Sequence, residues 1–389
     1  MVRLVEVFMT FLRLGCTSFG GPVAHLGYFE REFVAHRKWL DHATFAECIA
    51  VSQLLPGPGS SQTGMLIGWL RAGAPGAVAA WIGFTLPSAA LMTAFALALP
   101  HADTHAGWLH GLLLVAAAVV ASAIATMRTS LAPDLLRVAL AVGVAALVLL
   151  VPVPIITPTA IALAAAFGAV VLYRRVKTSE PKLDLHVRTR AGIAAWIAFV
   201  LTFAALGAWA ANGSHAGVLT GTLFRIGSLV FGGGHVVLPL LESQVAATGI
   251  VSPETILAGY AAAQAMPGPL FSISSYVGAS AFAGSLGVPG AVLGTVAIFA
   301  PSFFLLTGIA PFYRRLAANE RFRAALAGTN AGVIGLLAAA FVNPIFASAV
   351  RSWTDGAVAL VAFVIIHYAR VPAWIVVILG AFAGFILES

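Results

Sequence analysis

Charge is what this sequence has least of. Of its 389 residues only 9% are Asp, Glu, Lys or Arg, while 60% are hydrophobic. A soluble chain carries about 25% charged residues because its surface faces water, so a soluble domain is excluded. Cysteine is equally scarce. Cys16 and Cys48 are the only two, both in apolar segments, which excludes a disulfide framework and a thiolate zinc site. Strict apolar/polar alternation is missing from runs such as Leu112 to Val120, Val138 to Val151 and Ile155 to Val171, which excludes a porin-like barrel.

What is present is apolar length. Those runs cluster with their neighbours into stretches of about 20 residues, enough for a helix to cross roughly 30 Å of hydrocarbon. The expected class is an all-α polytopic membrane protein embedded in a lipid bilayer. The start, Met1 to Thr10, has basic Arg3 but no small-residue cleavage site, so the first apolar segment is expected to stay in the protein. The net charge of +7 does not point to nucleic acid. Arg174, Arg175, Lys177, Lys182, Arg188 and Arg190 crowd one loop, and Arg314, Arg315, Arg321 and Arg323 another. That is the positive-inside pattern of cytoplasmic loops, with no aromatic-interleaved basic motif.

The chain repeats itself. A shift of 212 places Arg13, Gly15, Phe19, Gly20, Gly21 and Glu30 on Arg225, Gly227, Phe231, Gly232, Gly233 and Glu242. After one deletion Gln53, Pro56, Gly57 and Pro58 fall on Gln264, Pro267, Gly268 and Pro269, and a further adjustment lays Pro87 and Ser88 over Pro301 and Ser302. The expected organisation is a first repeat over 1–175, a basic cytoplasmic loop over 176–190, a linking transmembrane helix over 191–211 and a second repeat over 212–389. One extra crossing between the halves turns the second upside down. Loop charges agree: Arg31, Arg37 and Lys38 face a loop from Ser243 to Ser252 without Lys or Arg, and His101 to His105 has none where Arg314 to Arg323 has four. Inverted-topology repeats are a transporter signature, shared by some channels, with the site near the midplane.

Segments near 3 to 19, 22 to 36, 42 to 55 and 60 to 70 are too short to span singly, so they are expected to pair as broken, re-entrant hairpins. The turns fall at Gly20-Gly21-Pro22 and Pro56-Gly57-Pro58, with Gly232-Gly233 and Pro267-Gly268-Pro269 in the other half. Irregular backbone at that depth is tolerated only inside protein or along a cavity. A helix that starts there exposes N–H groups and a positive dipole end, which suits an anion. Ser60, Ser61 and Ser272 add neutral donors, and Gln53 and Gln264 either satisfy freed backbone or touch substrate. The alternative for these residues is packed turns with capping serines.

Arg13 and Arg225 lie about ten residues into apolar segments, near the expected midplane. They are expected to bind a divalent oxyanion, the alternative being a structural tie to Glu30 or Glu242. Glu242 is the only charged residue between Arg225 and Glu254, so it is the first candidate for proton coupling, ahead of Glu30 and Glu47. His25 and His235 read as polar core residues. His101, Asp103 and His105 read as a solvated loop, so no metal or other cofactor is expected.

Phe19-Gly20-Gly21-Pro22 with Ala24-His25, Gln53 through Pro58, Phe231 to Gly234 and Gln264 through Pro269 resemble the chromate ion transporter family in its long-chain, two-domain form. The resemblance covers essentially the whole chain. It implies export of chromate from a bacterial cytoplasm through the inner membrane, conferring chromate resistance, with sulfate as the chemically similar competitor and proton antiport as the usual mechanism. Residues alone indicate an anion-friendly repeat, leaving open another oxyanion, a passive channel and a homodimer. An enzyme acting on a phosphorylated lipid lacks a visible catalytic cluster.

Overall fold

The computed structural model describes residues 2–98, 107–151, 156–173, 183, 185–231, 236–282 and 286–387. Among them all regular structure is helical. The first half comprises α1 (Val2–Thr17), α2 (Gly21–Phe29, running on as a π-helical turn, Glu30–His36), α3 (His42–Leu54), α4 (Gly59–Ala98), α5 (Gly107–Leu131), α6 (Leu135–Leu150) and α7 (Ile156–Phe167, running on as a π-helical turn, Gly168–Leu172). Then comes α8 (Thr189–Ala211). The second half comprises α9 (His215–Leu229), α10 (Val237–Leu240, followed by a π-helical turn, Leu241–Val245), α11 (Pro253–Ala265), α12 (Ile273–Ala281, preceded by a 3-10 turn, Leu270–Ser272) and α13 (Gly287–Ile309). It ends with α14 (Tyr313–Ala318), α15 (Glu320–Ala340), α16 (Ala347–Ala349), α17 (Trp353–His367) and α18 (Ala373–Leu387).

Local chemistry sets these boundaries at repeat-equivalent places. Asp41 caps α3 by accepting the Thr44 N–H at 2.7 Å, and Ser252 caps α11 by accepting the Thr255 N–H at 3.2 Å. Each cap satisfies a donor that the first helical turn leaves free. The long α4 is two helices joined at Ala72 and Gly73, where φ at Gly73 is 67°. Its legs lie so close that a Cβ on Gly68 would collide with the Gly76 carbonyl, as a Cβ on Gly278 of α12 would with Gly290 of α13.

Five stretches, Gly59–Ala98, His110–Thr129, Thr189–Ala211, Gly287–Ala318 and Glu320–Asn343, are long and apolar enough to cross a membrane. Helix α8 shows the lipid-facing chemistry plainly, leaving Ile193, Ile197, Val200 and Leu201 exposed. The molecule is a multi-pass membrane protein, with apolar side chains outside and polar ones such as His25, Gln62, Thr85 and Gln264 inside.

The two halves interlock. Helix α1 packs along α4 and α9 along α13, but α5 packs on α17 and α18, and α15 on α6 and α7. Helix α5 therefore nests in the second half's last two helices, and α15 in the first half's last two. Small residues make this possible: Gly328 meets Ala164 and Gly168, and Gly111 meets Gly380 and Gly384, at distances where no Cβ fits. Lipid is as apolar as a leucine side chain, so helices in it are held by such close backbone approach rather than by hydrophobic burial.

Candidate functional site at the broken helices

The turn between α3 and α4 is built by Gly57, at φ 126°, and its repeat mate between α11 and α12 by Gly268, at φ 94°. A side chain is strained at both angles. Each turn reaches into the opposite half. Gly57 donates its N–H to the Val230 carbonyl at 2.6 Å, and Gly268 donates to the Ser18 carbonyl at 2.9 Å. Ser18 and Val230 are themselves 212 residues apart, at the ends of α1 and α9, so the two turns make the same bond in opposite directions. Side chains repeat the exchange. Gln62 Nε2 donates to the Pro56 carbonyl at 2.7 Å and to Ser302 Oγ at 3.2 Å, while Gly268 packs against Ser88.

Beside the first turn lies a cavity of about 190 Å³, lined by Pro22, Leu26, Ser52, Gln53, Gly57, Gly59, Ser60, Thr126, Met127 and Asn330, among others. Among the described residues its lining has no charged side chain. Helix α2 begins at Gly21 after Gly20, without a side-chain cap, and α4 begins at Gly59, so two helix N-termini converge here. Their free N–H groups and dipoles supply positive potential without a cation. Ser60 Oγ lies 3.2 Å from His25 Nδ1, Gln53 is exposed into the opening, and the buried Ser61 Oγ and Gln62 Oε1 have no partner among the described residues. Water occupies about 30 Å³ per molecule in the liquid, so the space accommodates a four-oxygen anion with residual hydration.

The corresponding place in the second half carries larger side chains. Tyr260, Leu270 and Phe271 are buried at positions that match Ile49, Gly59 and Ser60. Ser272 Oγ donates to the Pro269 carbonyl at 2.7 Å, and Gln264 is hydrogen-bonded to Tyr260. Thus Gln53, Gly57 and Ser60 line the cavity, Gly20, Gly21 and Ser61 are their chain neighbours at the starts of α2 and α4, and Gln264, Gly268 and Ser272 belong to the second half's turn. Gly232, Gly233, His235 and the His101 to His105 loop lie outside the described residues.

The charged candidates separate. Arg13 is 58% exposed and pairs through Nη2 with Glu32, a partner other than the expected Glu30. Glu30 is exposed and lies 3.2 Å from His42 Nδ1. Arg225 is exposed. The Glu47 carboxylate accepts the Leu183 N–H and so ties the segment between the halves to α3. Glu242 is 8% exposed, and neither of its oxygens has a partner among the described residues. Sequence reasoning read Gln62 only as a neutral donor beside Ser60 and Ser61, gave Glu32 no role, and passed over Thr126 and Asn330. Ser88 and Ser302 were visible in the repeat alignment, and their recurrence was the one signal for the cross-half contacts.

The chromate transporter family profile matches residues 5–170 and 217–385. The chain is 28% identical to a chromate transport protein of Pseudomonas aeruginosa, over 98% of this chain and 92% of that one. It is 28% identical to a chromate transport protein of Cupriavidus metallidurans, over 93% and 86%. A probable chromate transport protein of Synechococcus elongatus is 25% identical, over 87% and 84%. No solved structure matches the chain. A helical membrane protein whose two Pro-Gly-Pro turns trade hydrogen bonds across its halves, matched by one family profile in two long parts, belongs to the chromate transporter family.

Proposed function

We propose that this protein exports chromate from the bacterial cytoplasm across the inner membrane by alternating access, with its two halves inverted relative to each other. The supporting observation is the uncharged cavity at Gly57 and Ser60, where the N-termini of α2 and α4 converge. Dipoles and neutral donors stabilise a dianion without the tight ion pairs that would slow its release. The family and the relatives' names supply the substrate; the cavity supplies the chemistry for any tetrahedral dianion, so sulfate is the competitor.

Direction follows from energetics. Moving a dianion out of a negative-inside cell gains about 4.6 kcal/mol per 100 mV, twice the figure for one charge. Inward protons would add to that, and Glu242, buried without a partner, is the carboxyl we assign to carry one. The deciding experiment is labelled chromate uptake into everted vesicles, with sulfate as competitor and voltage and pH gradient set separately. Saturable, voltage-driven uptake is expected. Uptake that never saturates would identify a channel, and uptake indifferent to the pH gradient at fixed voltage would remove the proton.

A further inference from the structure

The two halves treat their matching arginines differently. In the first half Arg13 is captured by Glu32, and Glu32 also accepts Arg37 Nε at 2.6 Å. Arg37 reaches Glu6 at 3.2 Å, and Glu6 takes Arg71 at 2.9 Å. Arg13 therefore ends a chain of ion pairs. At the repeat offset of 212, Glu32 becomes Gln244 and Glu6 becomes Val218. The π-helical turn that carries Gln244 packs on α9, which carries Arg225.

The consequence is an uncompensated cation. Arg225 is the only Lys or Arg between Arg190 and Arg314. Among the described residues it makes no hydrogen bond or ion pair. Among the described residues Gln244 Oε1 is buried and unpartnered, as is the carboxylate of Glu242. A bare guanidinium in an apolar segment is costly, and it persists where water or an anion reaches it.

We infer that Arg225 is the cation that meets the transported oxyanion, and that Gln244 is the positioning residue that keeps it free by being uncharged where Glu32 is not. Arg13 is then a structural arginine. The inference rests on the transport reading and assigns its charge to one half. It also explains why the uncharged cavity needs no cation of its own: the anion meets positive charge at one station along its path.

The test compares wild type, Gln244→Glu and Glu32→Gln at matched membrane levels. In chromate uptake, Gln244→Glu is expected to raise half-saturation by about tenfold or more, the size of a lost charge-assisted hydrogen bond, with maximal rate within about twofold. Glu32→Gln is expected to stay within about twofold on both. Unchanged half-saturation in Gln244→Glu overturns the inference and leaves transport standing. A wild type that moves no chromate sinks the transport reading alone, because thermal protection of purified protein by sulfate or chromate still decides the anion site: loss in Gln244→Glu supports it, and equal protection overturns it. If Gln244→Glu fails to insert, Arg225→Gln and Arg13→Gln replace it. Loss confined to Arg225→Gln is expected, and equal losses overturn the inference.

Discussion

The backbone N–H of Gly57 donates to the carbonyl of Val230 at 2.6 Å, joining the first half's turn to the end of a second-half helix. Gly268 and Ser18 return the bond at 2.9 Å. A Cβ on Gly57 would clash with Gln62 and Ser302, at a φ of 126° that side chains rarely adopt. Gly57→Ala is therefore expected to destabilise the protein by about 1 to 3 kcal/mol and to abolish uptake. Thermal unfolding in detergent and vesicle flux measure the two effects, and a wild-type melting point would count against the exchange as a structural joint.

The cavity predicts a contrast between two serines. Ser60→Ala removes a hydroxyl that faces the opening and His25, so half-saturation for chromate should rise by about three- to tenfold. Ser272→Ala removes one already bonded to Pro269, and flux should change little. Equal effects on saturation curves would mean that both turns handle the anion alike and would overturn the assignment to the cavity.

Gln62 links its own turn to Ser302 of the other half. Gln62→Leu keeps the volume and loses both bonds, stranding the Pro56 carbonyl, at a cost of about 1 to 3 kcal/mol. Calorimetry of the purified protein should show the loss. If Ser302→Ala on the same background costs nothing further, the two side chains are coupled as the geometry requires.

Asp41, exposed at the start of α3, is held below its usual carboxylate range by its hydrogen bonds with Thr44. A depressed folded value means that the cap stabilises α3 above the unfolded value of about 3.9 and loses that contribution as pH falls through the folded value. Asp41→Asn keeps an acceptor that does not titrate. Its thermal unfolding midpoint should fall less steeply with decreasing pH below about 4 than that of wild type.

Much of the fold was legible in one dimension. Segment lengths, the Gly-Gly and Pro-Gly-Pro turns and the 212-residue offset follow from apolar runs and helix breakers, which act locally. The interlock of α5 with α17 and α18 was not legible, because Gly111 and Gly380 signal a partner only once their helices are placed together. At the site, the repeat made Ser61 and Ser272, or Arg13 and Arg225, look equivalent. They differ because neighbours differ: Glu32 pairs with Arg13, and Ser272 donates to the Pro269 carbonyl whereas Ser61 Oγ has no partner among the described residues.

By itself the sequence determined the bilayer class, the repeat and the places where helices break, since these depend on composition and on backbone rules that act over a few residues. Only the tertiary structure decided which residues line the cavity at the first turn and which arginine is already paired. Those outcomes depend on side chains brought together from distant segments, where one carboxylate is enough to separate two arginines that the repeat alone would have left equivalent.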